Sequence, residues 1–266
     1  MKGTQSVVPR KTRHVVLLGG GHAHAVLLRQ LRMRPLQDVA VTLVSDGSYA
    51  VYSGMLPGAL AGAYPVEAVH IDIRRLAFEA GVAFVDARAV GIDLGKRRLA
   101  LRDRPSVGFD VLSLNCGAVP DTGRIEGNTE RLISVKPIAN FLPAWSRVRS
   151  HCRGAASVRR VVIIGGGAGG IELALAARTA LGSRVSLTLV EGAPQLLSEA
   201  NPRAQHHAAA LLREKDVDVI CGEMVAAISP DSVVLASGRT VPAEDVFSVT
   251  GARAPAWLER SGLNVD

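Results

Sequence analysis

The sequence predicts an α/β fold built from two similar units in tandem, and three observations support this prediction. Short apolar runs end in glycine clusters at two places, Gly19–Gly21 and Gly165–Gly170. Each cluster is followed by helix-forming residues and then by a second apolar run, which is the order of a β-turn-α-β unit. The 266 residues are 48% hydrophobic and 21% charged, a balance that suits one large or two modest packed domains and excludes disorder, collagen and coiled coil.

The first copy of the unit is predicted to contain a strand, a helix, a second strand and a short capped helix. The continuous apolar run before the glycines is typical of a buried parallel strand. The apolar spacing after them is typical of a helix, which Pro35 ends. The predicted elements are a strand at 15–18, a helix at 23–32, a strand at 39–44, and a helix at 73–80 capped by Asp72.

The second copy repeats this order later in the chain. Its predicted elements are a strand at 161–164, a helix at 171–181 ended by Gly182, and a strand at 185–190. The duplication extends to an apolar strand that ends in glycine, at 109–117 in the first copy and 244–251 in the second. Between the copies, Pro137 starts a helix in which Pro143 predicts a kink. Asn201–Pro202 opens a further helix.

This organisation sets the expected domain boundaries. Residues 1–13 are a flexible tail, 14–120 are the first part of one nucleotide-binding domain, 121–245 are a second, and 246–266 are an incomplete return to the first. The tail is polar and basic, which is unlike a signal peptide, and no apolar run reaches the length of a membrane span. Three widely spaced cysteines without a CxxC pair argue against a disulfide framework and a zinc site, and favour a cytoplasmic location.

The second glycine loop has the full pattern of a pyrophosphate-binding turn, in which Gly165, Gly167 and Gly170 permit the tight turn, the approach of the phosphates and close helix packing. The free N–H groups at the helix N-terminus hold the anion. Glu191 stands twenty-one residues beyond Gly170, where a carboxylate can accept hydrogen bonds from both ribose hydroxyls. Because it would repel a 2′-phosphate, Glu191 favours NADH over NADPH.

The first glycine loop is less regular. It keeps Gly19 and Gly21, but His24 replaces the third glycine. Ser45 holds the position of the acidic residue and Asp46 is its neighbour, so either one is a candidate for the ribose contact. A serine hydroxyl binds a ribose more weakly than a carboxylate does. A degenerate loop without a ligand is the alternative interpretation.

Two further side chains near the loops are candidates for cofactor contacts. His22 is expected to hydrogen-bond the cofactor, and we do not interpret His22 and His24 as a metal site. Glu172 is expected to face the nicotinamide; alternatively, it is a favourable anion in the first helical turn. The net charge of +7 is spread over single arginines and pairs, which predicts no nucleic-acid partner.

The arrangement resembles the FAD-dependent pyridine nucleotide–disulfide oxidoreductase superfamily, on the two loops and on the strands that end in Cys116–Gly117 and Thr250–Gly251. The segment SYAVYSGMLPG at 48–58 is similar to the branch of type II NADH dehydrogenases and sulfide:quinone reductases. Together with GGGHAH at 19–24 and SVKP at 134–137, it most resembles the flavoprotein subfamily associated with selenide, water dikinase.

This resemblance implies FAD binding by the first domain, NADH binding by the inserted second domain, and hydride transfer from NADH to FAD and on to an unidentified acceptor, such as a quinone or a selenium compound. It assigns to FAD the residues Gly19, Gly21, His22, Ser45 or Asp46, Ala89, Cys116 and Gly117. It assigns to NADH the residues Gly165, Gly167, Gly170, Glu172, Glu191 and Gly251, with Glu172 as the catalytic candidate.

Two departures from the family pattern qualify these expectations. No cysteine lies between Tyr49 and Gly62, where the disulfide reductases keep their redox pair, so no redox-active disulfide is expected. The family continues beyond Asp266 into a segment that completes the FAD site, so weak or absent flavin retention is expected. Any membrane contact and a homodimer would depend on that segment. The alternative function is a non-catalytic NADH-binding module or an inactive flavoprotein fragment.

Overall fold

A computed structural model describes residues 12–121, 125–154 and 157–265. The tail expected at 1–13 lies outside the described residues up to residue 11, and Arg13 already belongs to the first strand. The fold is α/β with parallel sheets, as the sequence predicts.

The strands and helices follow one another in an order that repeats. The first series is β1 (Arg13–Leu18), α1 (His22–Met33), β2 (Val39–Ser45), β3 (Tyr49–Val51), α2 (Leu56–Ala61), β4 (His70–Asp72), α3 (Ile73–Glu79), β5 (Ala83–Asp86), β6 (Ala89–Asp93), β7 (Arg98–Leu101), β8 (Arg104–Gly108) and β9 (Val111–Leu114). The second series is β10 (Val119–Pro120), β11 (Glu126–Gly127), β12 (Leu132–Ser134), α4 (Ile138–Gly154), β13 (Arg159–Ile164), α5 (Ala168–Leu181), β14 (Val185–Glu191), α6 (Pro202–Glu214), β15 (Val217–Cys221), β16 (Val225–Ile228), β17 (Ser232–Leu235), β18 (Thr240–Pro242), β19 (Asp245–Ser248), β20 (Ala252–Arg253) and α7 (Ala256–Arg260).

The chain divides into two compact units, of which the first contains residues 1–52, 70–117 and 254–266. Its parallel sheet has the strand order β5-β2-β1-β9. Helices α1 and α3 cover one face of this sheet, where Leu17, Leu28 and Leu43 are buried. The antiparallel strands β6-β7-β8 and helix α7 cover the other face, over Val16 and Val44.

The second unit contains residues 53–69 and 118–253. Its parallel sheet has the order β12-β19-β13-β14-β15, and a four-stranded sheet β11-β16-β17-β18 packs on one face. Helices α2, α4 and α5 contribute to the core on the other face. These units differ from the boundaries expected from the sequence in three segments, because 53–69, 118–120 and 246–253 lie in the second unit. The assignment of the domains to FAD and NADH stays a prediction.

Several helix boundaries follow from local signals that the sequence shows. The Asp72 carboxylate caps α3 by accepting the Arg75 backbone N–H at 2.8 Å, and the Asn201 side chain caps α6 by accepting the Ala204 N–H at 2.9 Å. These two caps confirm the predicted starts of both helices. Helix α4 continues through Pro143.

Candidate functional site

The second glycine loop joins strand β13 to helix α5. Gly165 has a φ of +109°, which is a conformation that side chains disfavour, and its N–H donates to the Val190 carbonyl at 2.8 Å. Helix α5 starts directly after Gly167. The Gly167 carbonyl accepts the N–H groups of Gly170 and Ile171 at 3.1 and 3.2 Å, which leaves those of Ala168 and Gly169 for a ligand. A side chain at Gly170 would overlap the Gly165 carbonyl oxygen, whereas a Cβ at Gly167 would have nothing within 4 Å. The loop therefore has the shape of an anion-binding turn.

The Glu191 carboxylate is fixed beside this loop at the end of strand β14. It accepts hydrogen bonds from the backbone N–H groups of Gly166 and of Ala193, the latter at 2.7 Å. A carboxylate offers about four lone-pair sites, so two remain for ligand hydroxyls. Glu191 is half-buried, and its position fits the ribose contact predicted from its spacing.

Glu172 and Gly251 lie in the same unit with fewer constraints. Glu172 is exposed and is the fifth residue of α5, beyond the first helical turn. The alternative interpretation of Glu172 as a first-turn anion is therefore wrong. The Gly251 carbonyl accepts the Asp121 N–H at 2.8 Å, and the Thr250 hydroxyl donates to the Asp121 carbonyl at 3.1 Å. These bonds tie Gly251 to the chain that follows β10.

The first glycine loop joins strand β1 to helix α1 with closely similar geometry. Gly19 has a φ of +92°, and its N–H donates to the Val44 carbonyl at 2.8 Å, as Gly165 does with Val190. Helix α1 begins directly after Gly21, whose N–H donates to the Asn115 carbonyl at 3.3 Å. The turn shares the positive φ and the helix start of the second loop, but Asn115 lies against Gly21, whereas a Cβ at Gly167 would meet open space.

His24, in place of the third glycine, is buried in the first unit at 3% exposure. Its Nδ1 lies 2.6 Å from the Gly19 carbonyl oxygen and its Nε2 lies 2.9 Å from the Ser113 hydroxyl. Burial lowers the pKa of His24, so the ring is neutral at neutral pH. The sequence identifies the substitution at this position but contains no local signal for these partners.

The remaining candidates of the first unit lie around the same loop. Ser45 is buried at the end of β2, while Asp46 is exposed with a carboxylate oxygen 3.9 Å from Arg88 Nε. His22 is exposed, and its ring stacks on Tyr52 with centroids 4.7 Å apart. The rest of the set is Ala89 at the start of β6, and Cys116 and Gly117 after β9. The structure thus groups the FAD candidates in one unit and the NADH candidates in the other.

The three cysteines, Cys116, Cys152 and Cys221, are free thiols. Desolvation raises the pKa of each of them, so thiolates are disfavoured at neutral pH. Across 12–121, 125–154 and 157–265, no group of three or more His, Cys, Asp or Glu side chains could hold a metal ion. In that same part of the chain, no helix combines the length and the apolar character needed to cross a membrane.

Comparisons with known proteins give distant relatives that are named as NAD(P)H-ubiquinone or NADH:quinone oxidoreductases. The chain is 24% identical over 256 residues to the mitochondrial external alternative NAD(P)H-ubiquinone oxidoreductase B3 of Arabidopsis thaliana, across 84% of this chain and 44% of that protein. It is 23% identical over 270 residues to the type II NADH:quinone oxidoreductase of Staphylococcus saprophyticus, across 94% of this chain and 67% of that protein. The chain therefore spans about half to two thirds of the length of these relatives.

The fold agrees with solved structures of the same kind. NDH2 from Plasmodium falciparum in complex with NADH superposes with a TM-score of 0.80 and 16% identity, across 95% of this chain and 57% of that one. Residues 13–266, which include both glycine loops and both parallel sheets, match the family model for pyridine nucleotide-disulphide oxidoreductases. The chain therefore belongs to the pyridine nucleotide-disulphide oxidoreductase family, whose members are flavin-dependent NAD(P)H oxidoreductases.

Proposed function

We propose that this chain transfers a hydride from NADH to FAD and passes the electrons to a separate acceptor. The observation that carries the proposal is the duplicated glycine loop, in which a glycine with positive φ joins a parallel strand to an uncapped helix start in each unit. Two such loops suit two dinucleotides. When bound, the two cofactors supply the hydride donor and the hydride acceptor, and the protein supplies binding, orientation and the exclusion of water.

NADH is assigned to the second unit. The N–H groups of the loop hold its pyrophosphate over Gly165, Gly167 and Gly170, and the Glu191 carboxylate accepts hydrogen bonds from the adenosine ribose. A 2′-phosphate at that position would face the carboxylate charge, which supports NADH over NADPH. Glu172 faces the nicotinamide end in this proposal, and Gly251 completes the NADH contacts.

FAD is assigned to the first unit, over Gly19 and Gly21. His22, at the first position of α1 and exposed, is placed to contact the pyrophosphate. Ser45 or Asp46 contacts the adenosine ribose. Ala89, Cys116 and Gly117 supply the remaining FAD contacts in this assignment.

The acceptor is proposed to be a quinone or a selenium compound. The staphylococcal and plant relatives carry names that specify quinone or ubiquinone, which supports the first. The similarity of the GGGHAH and YSGMLPG segments to flavoproteins associated with selenide, water dikinase supports the second. The raised pKa values of the thiols support electron transfer without a redox-active disulfide. A cytoplasmic location and a homodimer remain part of the proposal.

An anaerobic NADH titration tests the proposal. The purified chain is saturated with FAD, separated from free FAD, and its visible flavin absorbance is recorded during addition of NADH or NADPH. We expect NADH to bleach the flavin and NADPH to do so poorly. Retained flavin that NADH does not bleach would contradict the proposed hydride transfer.

A non-catalytic NADH-binding module is the second candidate. It is favoured by the departures of the first loop from the glycine pattern, at His24 and Ser45. An NADH titration that shows saturable binding, in a chain that binds no FAD and has no diaphorase activity, would favour this second candidate over the oxidoreductase.

A further inference from the structure

We propose that His24 is a positioning residue that anchors the first glycine loop. It holds the Gly19–Gly20 peptide group, which is equivalent to the Gly165–Gly166 peptide group that Glu191 holds in the second loop. The inference rests on the proposed function insofar as the first loop is taken to bind FAD. It deepens that function by naming the group on which the geometry of the FAD loop depends.

The strand registers establish which residues are equivalent in the two units. Strand β1 places Leu17 beside Ser113, and strand β13 places Ile163 beside Phe247. Leu17 and Ile163 each stand two residues before the first glycine of their loop. Ser113 and Phe247 are therefore equivalent positions on the strand that flanks each loop.

The two units differ in which element carries the larger side chain, the strand that flanks the loop or the helix that starts at the loop. In the second unit, Gly170 leaves no room for a side chain on the helix, and Phe247 is fully buried on the strand. In the first unit, His24 puts a buried ring on the helix, and Ser113 on the strand is small enough to receive it at 2.9 Å. The strand residue is therefore small where the helix carries the ring, and large where the helix carries glycine.

The two units also differ in which end of the loop peptide is held by a hydrogen bond. In a trans peptide, the carbonyl and the N–H point in opposite directions, so holding either end fixes the plane. Glu191 holds the Gly165–Gly166 peptide by accepting the Gly166 N–H. His24 holds the equivalent Gly19–Gly20 peptide from its other end, through the Gly19 carbonyl. Ser45, at the position equivalent to Glu191, carries a hydroxyl and supplies no carboxylate there.

The bonding of His24 determines its tautomer. A carbonyl oxygen only accepts hydrogen bonds, so Nδ1 must carry the proton that points to Gly19. In the neutral ring, Nε2 then accepts the Ser113 hydroxyl proton. The Ser113 side chain, which the flanking strand presents to this ring, carries no charge. Both ring nitrogens are thus engaged within the protein, which leaves His24 a positioning role.

The fixed peptide has a consequence for anion binding. The orientation of the Gly19–Gly20 peptide sets where the Gly20 N–H points and where helix α1 begins. These groups lie on the surface that a pyrophosphate would approach. Releasing the Gly19 carbonyl lets this peptide rotate, which costs affinity for the anion even where the core remains packed.

Two substitutions separate anchoring from space filling. His24→Leu keeps a side chain of similar volume and removes both hydrogen bonds, whereas His24→Asn keeps an amide donor where Nδ1 stands. We expect His24→Leu to lower FAD affinity by roughly tenfold or more, the value of one strong hydrogen bond, and His24→Asn to recover it to within about threefold of wild type. NADH affinity at the second unit should stay within about twofold in both variants, since neither alters that loop.

A matched control lies on the same strand. His14→Leu removes an imidazole–hydroxyl hydrogen bond to Thr42 of 2.8 Å at the opposite end of β1 from the glycines. It should keep wild-type FAD affinity. The proposal is overturned if His24→Leu binds FAD as wild type does, or if His24→Asn is as weak as His24→Leu.

Two measurements on the loop itself do not require FAD. Nitrogen NMR of the wild-type chain should show the neutral Nδ1–H tautomer of His24, and the Nε2–H tautomer would overturn the inference. Amide exchange at Gly20 should be about tenfold faster in His24→Leu than in wild type, and equal rates would also overturn it. Absence of FAD binding in wild type would refute the proposed function, while these two results would still decide whether His24 anchors the loop.

Discussion

Replacing Glu191 by alanine should weaken NADH binding and abolish the preference for NADH over NADPH. The carboxylate is held by two backbone N–H groups, from Gly166 and Ala193, which leaves about two of its four lone-pair sites for the ribose. Hydrogen bonds to a charged group contribute about 1.5–3 kcal/mol each. Since Glu191 is only half-buried, we take about 2–3 kcal/mol for the ribose contact as a whole, which corresponds to roughly a 30- to 150-fold rise in the Kd for NADH.

The response to NADPH distinguishes this contact from a general loss of structure. A carboxylate repels a 2′-phosphate beside it, and Glu191→Ala removes this repulsion. The ratio of the Kd for NADPH to the Kd for NADH should therefore fall by about tenfold or more. Glu191→Gln keeps the size and one carbonyl acceptor, and should lie between alanine and wild type. Glu214→Ala removes a carboxylate that is 68% exposed in the same unit and should leave both Kd values unchanged.

The assay is fluorescence titration of the purified chain with NADH and NADPH, together with a thermal unfolding curve for each variant. The unfolding curve matters because Glu191→Ala also frees two loop N–H groups, although water can replace the carboxylate there. An unchanged ratio of the Kd for NADPH to that for NADH, in a variant that unfolds normally, would refute the assignment of Glu191 to the ribose.

Further substitutions and a pH titration test other parts of the structure. Gly170→Ala should lower the free energy of unfolding by about 2–4 kcal/mol, because the added methyl group overlaps the Gly165 carbonyl. Gly167→Ala should unfold as wild type does but should bind NADH at least about tenfold more weakly. Thermal unfolding and NADH titration of both variants distinguish these effects. Arg131→Met removes hydrogen bonds to the Ser229, Ala243 and Glu244 carbonyls and should lower the free energy of unfolding in urea by about 2–4 kcal/mol. A decrease below about 0.5 kcal/mol would contradict a stabilising role for these bonds. Burial lowers the pKa of His24 below its ordinary 6.5, so the unfolded chain binds a proton at His24 more readily than the folded chain does. The contribution of His24 to stability should be complete above pH 6.5 and should decline as the pH falls below it. In acid titrations of stability, His24→Leu should flatten this part of the curve.

The features that the sequence predicts well are those with local physical causes. A carboxylate or amide before a helix satisfies the N–H groups of the first turn, so Asp72 and Asn201 identify the starts of α3 and α6 without tertiary information. The positive φ of Gly19 and Gly165 follows likewise from the need for a tight turn between a strand and a helix. The parallel sheets follow from apolar runs that are separated by helices.

The features that the sequence does not predict depend on distant partners. Leu56–Ala61 contains a proline and a glycine and has weak helix propensity, yet it forms helix α2 because Leu56 and Leu60 pack into the core of the second unit. Strand β12 is only three residues long, Leu132–Ser134, and is defined by parallel pairing with Val246–Ser248 of β19. Neither segment carries a periodic pattern that would have identified it beforehand.

The first glycine loop shows why a mismatch to a motif has to be judged together with its surroundings. His24 replaces the glycine of the helix, and the flanking strand carries Ser113 where the second unit carries Phe247. The Ser113 hydroxyl bonds the His24 ring, and the ring holds the loop peptide through the Gly19 carbonyl, where Ser45 offers no carboxylate. A pyrophosphate-binding turn needs a fixed peptide and a helix that starts close to the strand, and three glycines with an acidic residue are one way to satisfy both needs. His24, Ser113 and Ser45 act as a set that satisfies them differently, so the departures from the glycine pattern are consistent with a competent loop.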